Sequence, residues 1–254
     1  IVWFKRAAAL GNAEAMTTLG LCFAEGDGVA QDKQQAVEWY KRAAELGNAD
    51  AMNNLGLCFA DGDGVAQDKQ QAIELFKRAA ALGNSRAMNN LGLRFVKGDG
   101  VAQDKQQAIE WYKRAASLGD ADAMNNLGVC FDNGDGVAQD KQQAIEWYKR
   151  AAALGNADAM VNLGLCFDKG DGVAQDKQQA IEWFKRAAAL GHADSMVKLG
   201  VCFANGDGVA QDKQQAVEWW KRAAELGNAK AMFSLGVCFD NGDGVAQNKQ
   251  QAIK

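Results

Sequence analysis

The chain has 254 residues, 48% hydrophobic and 24% charged, with a formal net charge of −4. This is the composition of a folded soluble protein, and its basic residues recur as one Lys-Arg pair per repeat rather than as a phosphate-tracking stripe, which argues against nucleic acid as a partner. No apolar run approaches the roughly 18 residues of a membrane span, and no signal peptide is visible.

Gly-Asp-Gly-Val-Ala-Gln recurs at Gly26, Gly62, Gly98, Gly134, Gly170, Gly206 and Gly242, a period of 36 residues without a slip. A period of this size predicts an all-α solenoid in which each repeat stacks on its neighbours. Length alone, at about 150 residues per domain, would suggest two domains; the repeat predicts one continuous array over residues 1–254. Residues 1–12 read as a partial helix B, residues 13–228 as six full repeats, and residues 229–254 as a partial repeat. Ile1 falls mid-helix by this phase and Lys254 falls just after a helix start, which reads as a piece of a longer array. No polar capping repeat is visible at either end.

Within the repeat Ala49–Asn84, Met52, Leu55, Gly56 and Phe59 share one helical stripe, here called helix A. Gly56 lies inside that helix, where Gly costs about 1 kcal/mol relative to Ala. Its recurrence predicts a second helix backbone packed close against it. Gly62-Asp63-Gly64 ends the helix, with glycine at positive φ. Asp68 is the predicted N-cap of helix B, and Gln71 completes a capping box. Helix B runs to about Leu82, with Ala72, Ile73, Leu75, Phe76, Ala79, Ala80 and Leu82 on its apolar stripe. Glu74 and Arg78 form a predicted i,i+4 pair on its wet face. Gly83-Asn84 returns the chain to the next helix A.

These residues resemble the Sel-1-like repeat family, relatives of the tetratricopeptide repeats. The family pattern is matched by Ala123, Leu127, Gly128, Phe131, Gly134, Gly136, Val137, Asp140, Ala144, Trp147, Tyr148, Ala151, Ala152 and Gly155. The resemblance covers essentially the whole chain. It implies a right-handed α-α superhelix whose A helices line the inner face. It also implies adaptor or scaffold roles.

Chemistry is sparse. Cys22, Cys58, Cys130, Cys166, Cys202 and Cys238 hold one repeat position beside the buried Phe. Equivalent residues of stacked repeats are expected about 10 Å apart, beyond the ~7 Å Cα separation that a disulfide spans. Buried, reduced thiols are therefore expected, and unpaired thiols favour a reducing, cytoplasmic compartment. Arg94 stands in the Cys column, and its guanidinium is expected to reach solvent or a carboxylate. His192, the single His, stands where other repeats carry Asn and reads as a turn residue. Asp61-Gly-Asp63-Gly lacks the glycine and closing glutamate of a calcium loop. No nucleophile, metal or cofactor motif is present, and no enzyme is predicted. Trp39, Trp111, Trp147, Trp183 and Trp219 on helix B, and the Met column on helix A, read as core.

Differences between repeats concentrate on helix A. One column reads Thr17, Asn53, Asn89, Asn125, Val161, Val197, Phe233; the next reads Thr18, Asn54, Asn90, Asn126, Asn162, Lys198, Ser234. Both lie off the Leu-Gly-Phe stripe and are expected to face a groove, where tetratricopeptide relatives hold ligands. The predicted partner-binding face is Asn53, Asn54, Asn89, Asn90, Asn125, Asn126, Val161, Asn162, Val197, Lys198 and Phe233. Asn side chains both donate and accept, which suits an extended peptide, and the later Val and Phe residues make the face apolar. The predicted function is a non-enzymatic adaptor for a peptide or protein. The alternative is a spacer or an end-to-end self-associating array.

Overall fold

The structure is a computed structural model and describes residues 1–253. Among the described residues it holds fifteen helices and no strand. The A helices are α2 (Ala13–Glu25), α4 (Ala49–Asp61), α6 (Ser85–Lys97), α8 (Ala121–Asn133), α10 (Ala157–Lys169), α12 (Ala193–Asn205) and α14 (Ala229–Asn241). The B helices are α1 (Val2–Ala9), α3 (Lys33–Glu45), α5 (Lys69–Ala81), α7 (Lys105–Ser117), α9 (Lys141–Ala153), α11 (Lys177–Ala189), α13 (Lys213–Glu225) and α15 (Lys249–Ile253). The chain divides into two compact units, Ile1–Leu127 with Asp135–Val137, and Gly128–Gly134 with Ala138–Lys254. Within each unit a helix A packs against its own helix B, and that helix B packs against the next helix A.

The hairpin is set by an aromatic ring. The buried aromatic residue of helix B is the one after the Trp column: Tyr40, Phe76, Tyr112, Tyr148, Phe184 and Trp220. Each ring lies on the glycine of its helix A. A Cβ on Gly20 would fall 2.3 Å from the Tyr40 ring, and one on Gly56 would fall 2.7 Å from the Phe76 ring. The helix-A glycine thus makes room for a ring, not for the helix backbone that the sequence suggested. Where the ring is Trp220, its Nε1 donates to the Val197 carbonyl at 3.2 Å.

The Trp column itself is half-buried, so the expectation of a core role is corrected. In five of these repeats an Arg one turn on covers the indole. Arg114 lies 4.4 Å from the centre of the Trp111 ring and Arg42 lies 4.9 Å from that of Trp39. A stacked guanidinium keeps its charge in water while its flat face shields the ring. Arg78 has no such ring, because Leu75 replaces Trp and is itself buried. The ion pair on the wet face is Glu74–Lys77 at 2.9 Å, i,i+3, instead of Glu74–Arg78.

The constant turn segment satisfies one backbone group after another. Gly62 takes the left-handed conformation (φ 78), and its N–H donates to the Cys58 carbonyl. Gln67 Nε2 donates to the Ala60 carbonyl at 2.8 Å, closing the end of α4. Asp68 caps α5 by accepting from the Gln71 N–H. Its own N–H is already bonded to the Phe59 carbonyl at 2.9 Å, leaving no partner there for a reciprocal capping box. In the equivalent turns Gln35 and Gln107 instead donate to the second carboxylate oxygen of the cap. Backbone N–H bonds hold Asp32, Asp104 and Asp176 below the usual carboxylate range.

The middle Asp and second Gly of the turn reach the preceding repeat. Lys33–Asp63 (2.9 Å), Lys69–Asp99 (2.7 Å), Lys177–Asp207 (2.8 Å) and Lys213–Asp243 (2.6 Å) are the same bond repeated. Lys141 departs from this pattern, binding Asp132 at 2.8 Å with Asp171 at 3.9 Å. Gly64 has φ 72, and a Cβ there would fall 2.2 Å from the Lys33 carbonyl oxygen. Gly83 has a similar φ of 85 but open space around it. Gly83→Ala is therefore expected to cost about 1 kcal/mol from its backbone conformation alone. Gly64→Ala is expected to cost more, because its methyl also meets fixed backbone. Urea unfolding of the two variants separates the contributions; equal losses would show that the turn yields freely.

Candidate functional site: the outward stripe of helix A

Helix A is buried on two sides, and the structure corrects the first predicted column accordingly. Thr17, Asn53, Asn89 and Asn125 are buried at 4–9% exposure instead of facing a groove. Val161 and Val197 are half-buried and pack against the core. Phe233 alone in that column is open, at 75% exposure. The second column is half-exposed throughout: Asn54, Asn90, Asn126, Asn162 and Lys198.

The two Asn columns form a ladder within the first unit. Asn90 Nδ2 donates to Asn53 Oδ1 at 2.9 Å, and Asn126 Nδ2 donates to Asn89 Oδ1 at 2.8 Å. Asn53 Nδ2 donates in turn to Asn54 Oδ1 at 3.4 Å. The buried Asn thus supports the outward Asn of the next repeat. Among the described residues, no buried side-chain nitrogen or oxygen lacks a partner.

The solvent-facing stripe of helix A follows i, i+4, i+7, i+11. In α4 it is Asp50, Asn54, Leu57 and Asp61; in α6 it is Arg86, Asn90, Leu93 and Lys97. In α12 it is Asp194, Lys198, Val201 and Asn205. The sequence reading missed the apolar members of this stripe. Their signal was present, since the Leu or Val column lies one turn beyond the second Asn column. In α14 a half-open cavity of about 250 Å³ adjoins Phe233 and is lined also by Trp220, Val237 and Lys213.

The thiols are half-buried or buried. Burial pushes Cys58 and Cys166 from 9.0 up to about 11, with Asp63 and Asp132 adding to the shift respectively. It also raises Cys202 and Cys238. These groups are protonated at neutral pH and are poor nucleophiles. Arg94, in the Cys column, meets its expectation by pairing with Asp99, which Lys69 also binds. Hydrogen bonds from Lys69 and Arg94 hold the Asp99 carboxyl below the usual range.

His192 is the N-cap of α12 rather than a plain turn residue, its ring accepting from the Ser195 N–H. Ser195, His192 and Asp158 stand in line, at 2.8 Å and 3.1 Å. Ser195 is 0% exposed, so no substrate carbonyl reaches its hydroxyl. The alignment holds a helix end and is not a hydrolytic site.

The 36-residue period of this chain is matched by the Sel1 repeat. That family's pattern covers residues 1–12, 13–48, 49–84, 85–120, 121–156, 157–192, 193–228 and 229–254. The chain belongs to the Sel1 repeat family. It is 32% identical to a Sel1 repeat protein from Oxalobacter formigenes, covering 95% of this chain and 96% of that one, with a TM-score of 0.85. It is 36% identical to a protective antigen of uropathogenic Escherichia coli strains that displays the same repeat fold, with a TM-score of 0.73. That match covers 99% of this chain and 54% of the antigen, so the chain spans about half the antigen's length. An immunity protein from Pseudomonas aeruginosa, 21% identical over 84% of this chain and 81% of its own, shares the fold with a TM-score of 0.63. No curated protein matches.

Two stability predictions arise from these groups. Thiols raised in the folded state give stability that is complete below the unfolded value of 9.0 and is lost as pH rises toward about 11. The urea midpoint is expected to be lower at about pH 10.5 than at about pH 8; an unchanged midpoint would count against buried thiols. Asp99→Ala leaves Arg94, only 17% exposed, without that carboxylate. It is expected to cost about 1–3 kcal/mol, against about 0–1 kcal/mol for the same change at Asp63, whose ion pair is exposed. Parallel melts of the two variants check this.

Proposed function

We propose that this protein is a non-enzymatic adaptor that holds a peptide or protein partner on the outward stripe of its A helices. The observation that carries the reading is the coincidence of exposure and variation. The turns and helix-B core barely change between repeats, while the exposed stripe changes in charge and polarity from one helix A to the next. Asn54, Asn90, Asn126, Asn162 and Lys198 are the proposed polar contacts, and Phe233 is an apolar anchor beside its cavity. Asn53 and Asn89 act from behind, by fixing the outward amides of Asn90 and Asn126; Asn125 is buried in the same column, and Val161 and Val197 shape the floor.

The test is panning of a random peptide library on the intact chain. Binders whose affinity falls at least about tenfold in Asn54→Arg/Asn90→Arg or in Phe233→Ala, with the melting temperature unchanged, support the adaptor reading. Binding indifferent to these changes would overturn it.

A further inference from the structure

In α6 and α14 the Asn at the N-cap of helix A performs two tasks. Its side-chain oxygen accepts a backbone N–H of its own first turn, as Asn84 Oδ1 does from Ala87. Its amide reaches back to the preceding helix A: Asn84 Nδ2 donates to Asp50 at 2.8 Å, and Asn228 Nδ2 donates to Asp194 at 2.8 Å. His192 reproduces both bonds with its two ring nitrogens. Nδ1 accepts from the Ser195 N–H at 3.2 Å, and Nε2 lies 3.1 Å from Asp158 Oδ1. A backbone N–H can only donate, so Nδ1 is the acceptor and Nε2 carries the proton.

A second departure sits against this one. Ser195 occupies a column that is Ala15, Ala51, Ala87, Ala123, Ala159 and Ala231 elsewhere. It is completely buried, and its Oγ lies 2.8 Å from His192 Nδ1. The only His and the only Ser of these two columns therefore touch. In the Asn-capped repeats the capping atom is an amide oxygen, which takes no proton near neutrality. In this repeat the capping atom is an imidazole nitrogen, which a bound proton converts from acceptor to donor.

We propose that the start of α12 is a proton-operated joint between the repeats 157–192 and 193–228. When Nδ1 takes a proton it becomes a donor facing the Ser195 N–H, and the cap is lost. The Ser195 hydroxyl turns from donating to accepting, and receives the new Nδ1–H. At the same time Nε2–H···Asp158 becomes an ion pair, so the tie between A helices tightens as the helix end loosens. Of the charged side chains flanking the joint, Arg186 lies in the last turn of α11 and Asp194 in the first turn of α12, while Asp158 of α10 is the one bonded to His192. Arg186 is held over Trp183 at 4.6 Å, and Asp194 is engaged by Asn228. Asp158 is thus the carboxylate that meets the imidazole directly.

Because the chain has one His, its ring nitrogens are read without ambiguity by long-range 1H–15N NMR on the intact protein. The Nε2–H tautomer is expected at about pH 8. On lowering the pH to about 5, the Ser195 amide is expected to shift. Its exchange, corrected for intrinsic rate, is expected to rise about fivefold, as the loss of a typical cap implies. The Asn-capped first turn of α6, which makes no bond to His192, is an internal control and is expected not to change. His192→Asn restores the column residue, so it is expected to fold and to remove the response. An Nδ1–H tautomer at the higher pH would overturn the proposal. So would equal responses in α6 and α12, or a response that survives in His192→Asn.

Discussion

On six of the seven described A helices, one position must carry no side chain, because a ring from helix B occupies that space. This constraint fixes the spacing and rotation of the two helices in each hairpin. It also explains a residue that works against helix propensity. A Gly in a helix interior costs about 1 kcal/mol, whereas burying a large ring on its surface contributes more than that. Tyr40, Phe76, Phe184 and Trp220 all satisfy the constraint, so the ring's outline can vary provided the glycine does not. Trp220 is the largest of these, and it finds a carbonyl for its N–H. A buried indole without that partner would carry the cost of an unpaired donor.

Much of the architecture is legible in the sequence because its causes are local. Gly62 and Gly64 announce positive φ, Asp68 announces a cap, and the 36-residue period announces stacking. The misreadings share a physical origin. A single helical stripe tells which side of a helix is buried against something, but not against how many neighbours. Helix A contacts its own helix B and that of the preceding repeat, and its Asn column meets the next helix A. Asn53 therefore looks like an exposed polar residue while being buried and paired. Trp111 looks like core because it is large and periodic. Its neighbour Tyr112 takes the interior place, and Trp111 lies half in water beneath Arg114. His192 read as a turn residue because an imidazole is an uncommon cap, and its partner Asp158 lies 34 residues away in sequence.

The constant turn has a cost structure that explains its constancy. Each of its side chains or glycines serves a backbone group, and two of them serve the neighbouring repeat. A change at Gly64 strains its own loop and also pushes on Lys33 of the preceding helix B. A change at Asp99 unsettles both Lys69 and Arg94. Substitutions at such positions are coupled to their neighbours rather than independent.

The outward stripe is the region where these couplings are weakest. Asp50 and Arg86 occupy the same stripe position with opposite charge, and both helices keep the same caps, glycine and ring. The scaffold therefore tolerates there the one kind of variation that changes how a surface is recognised while leaving the fold intact. The family is legible from the period, whereas the recognition surface proposed above lies on the residues that the fold constrains least. His192 and Ser195 are the exception to that separation: their change lies inside the fold's own bonding, at a helix end, and the neighbouring α12 stripe of Asp194 and Lys198 begins at that same helix end.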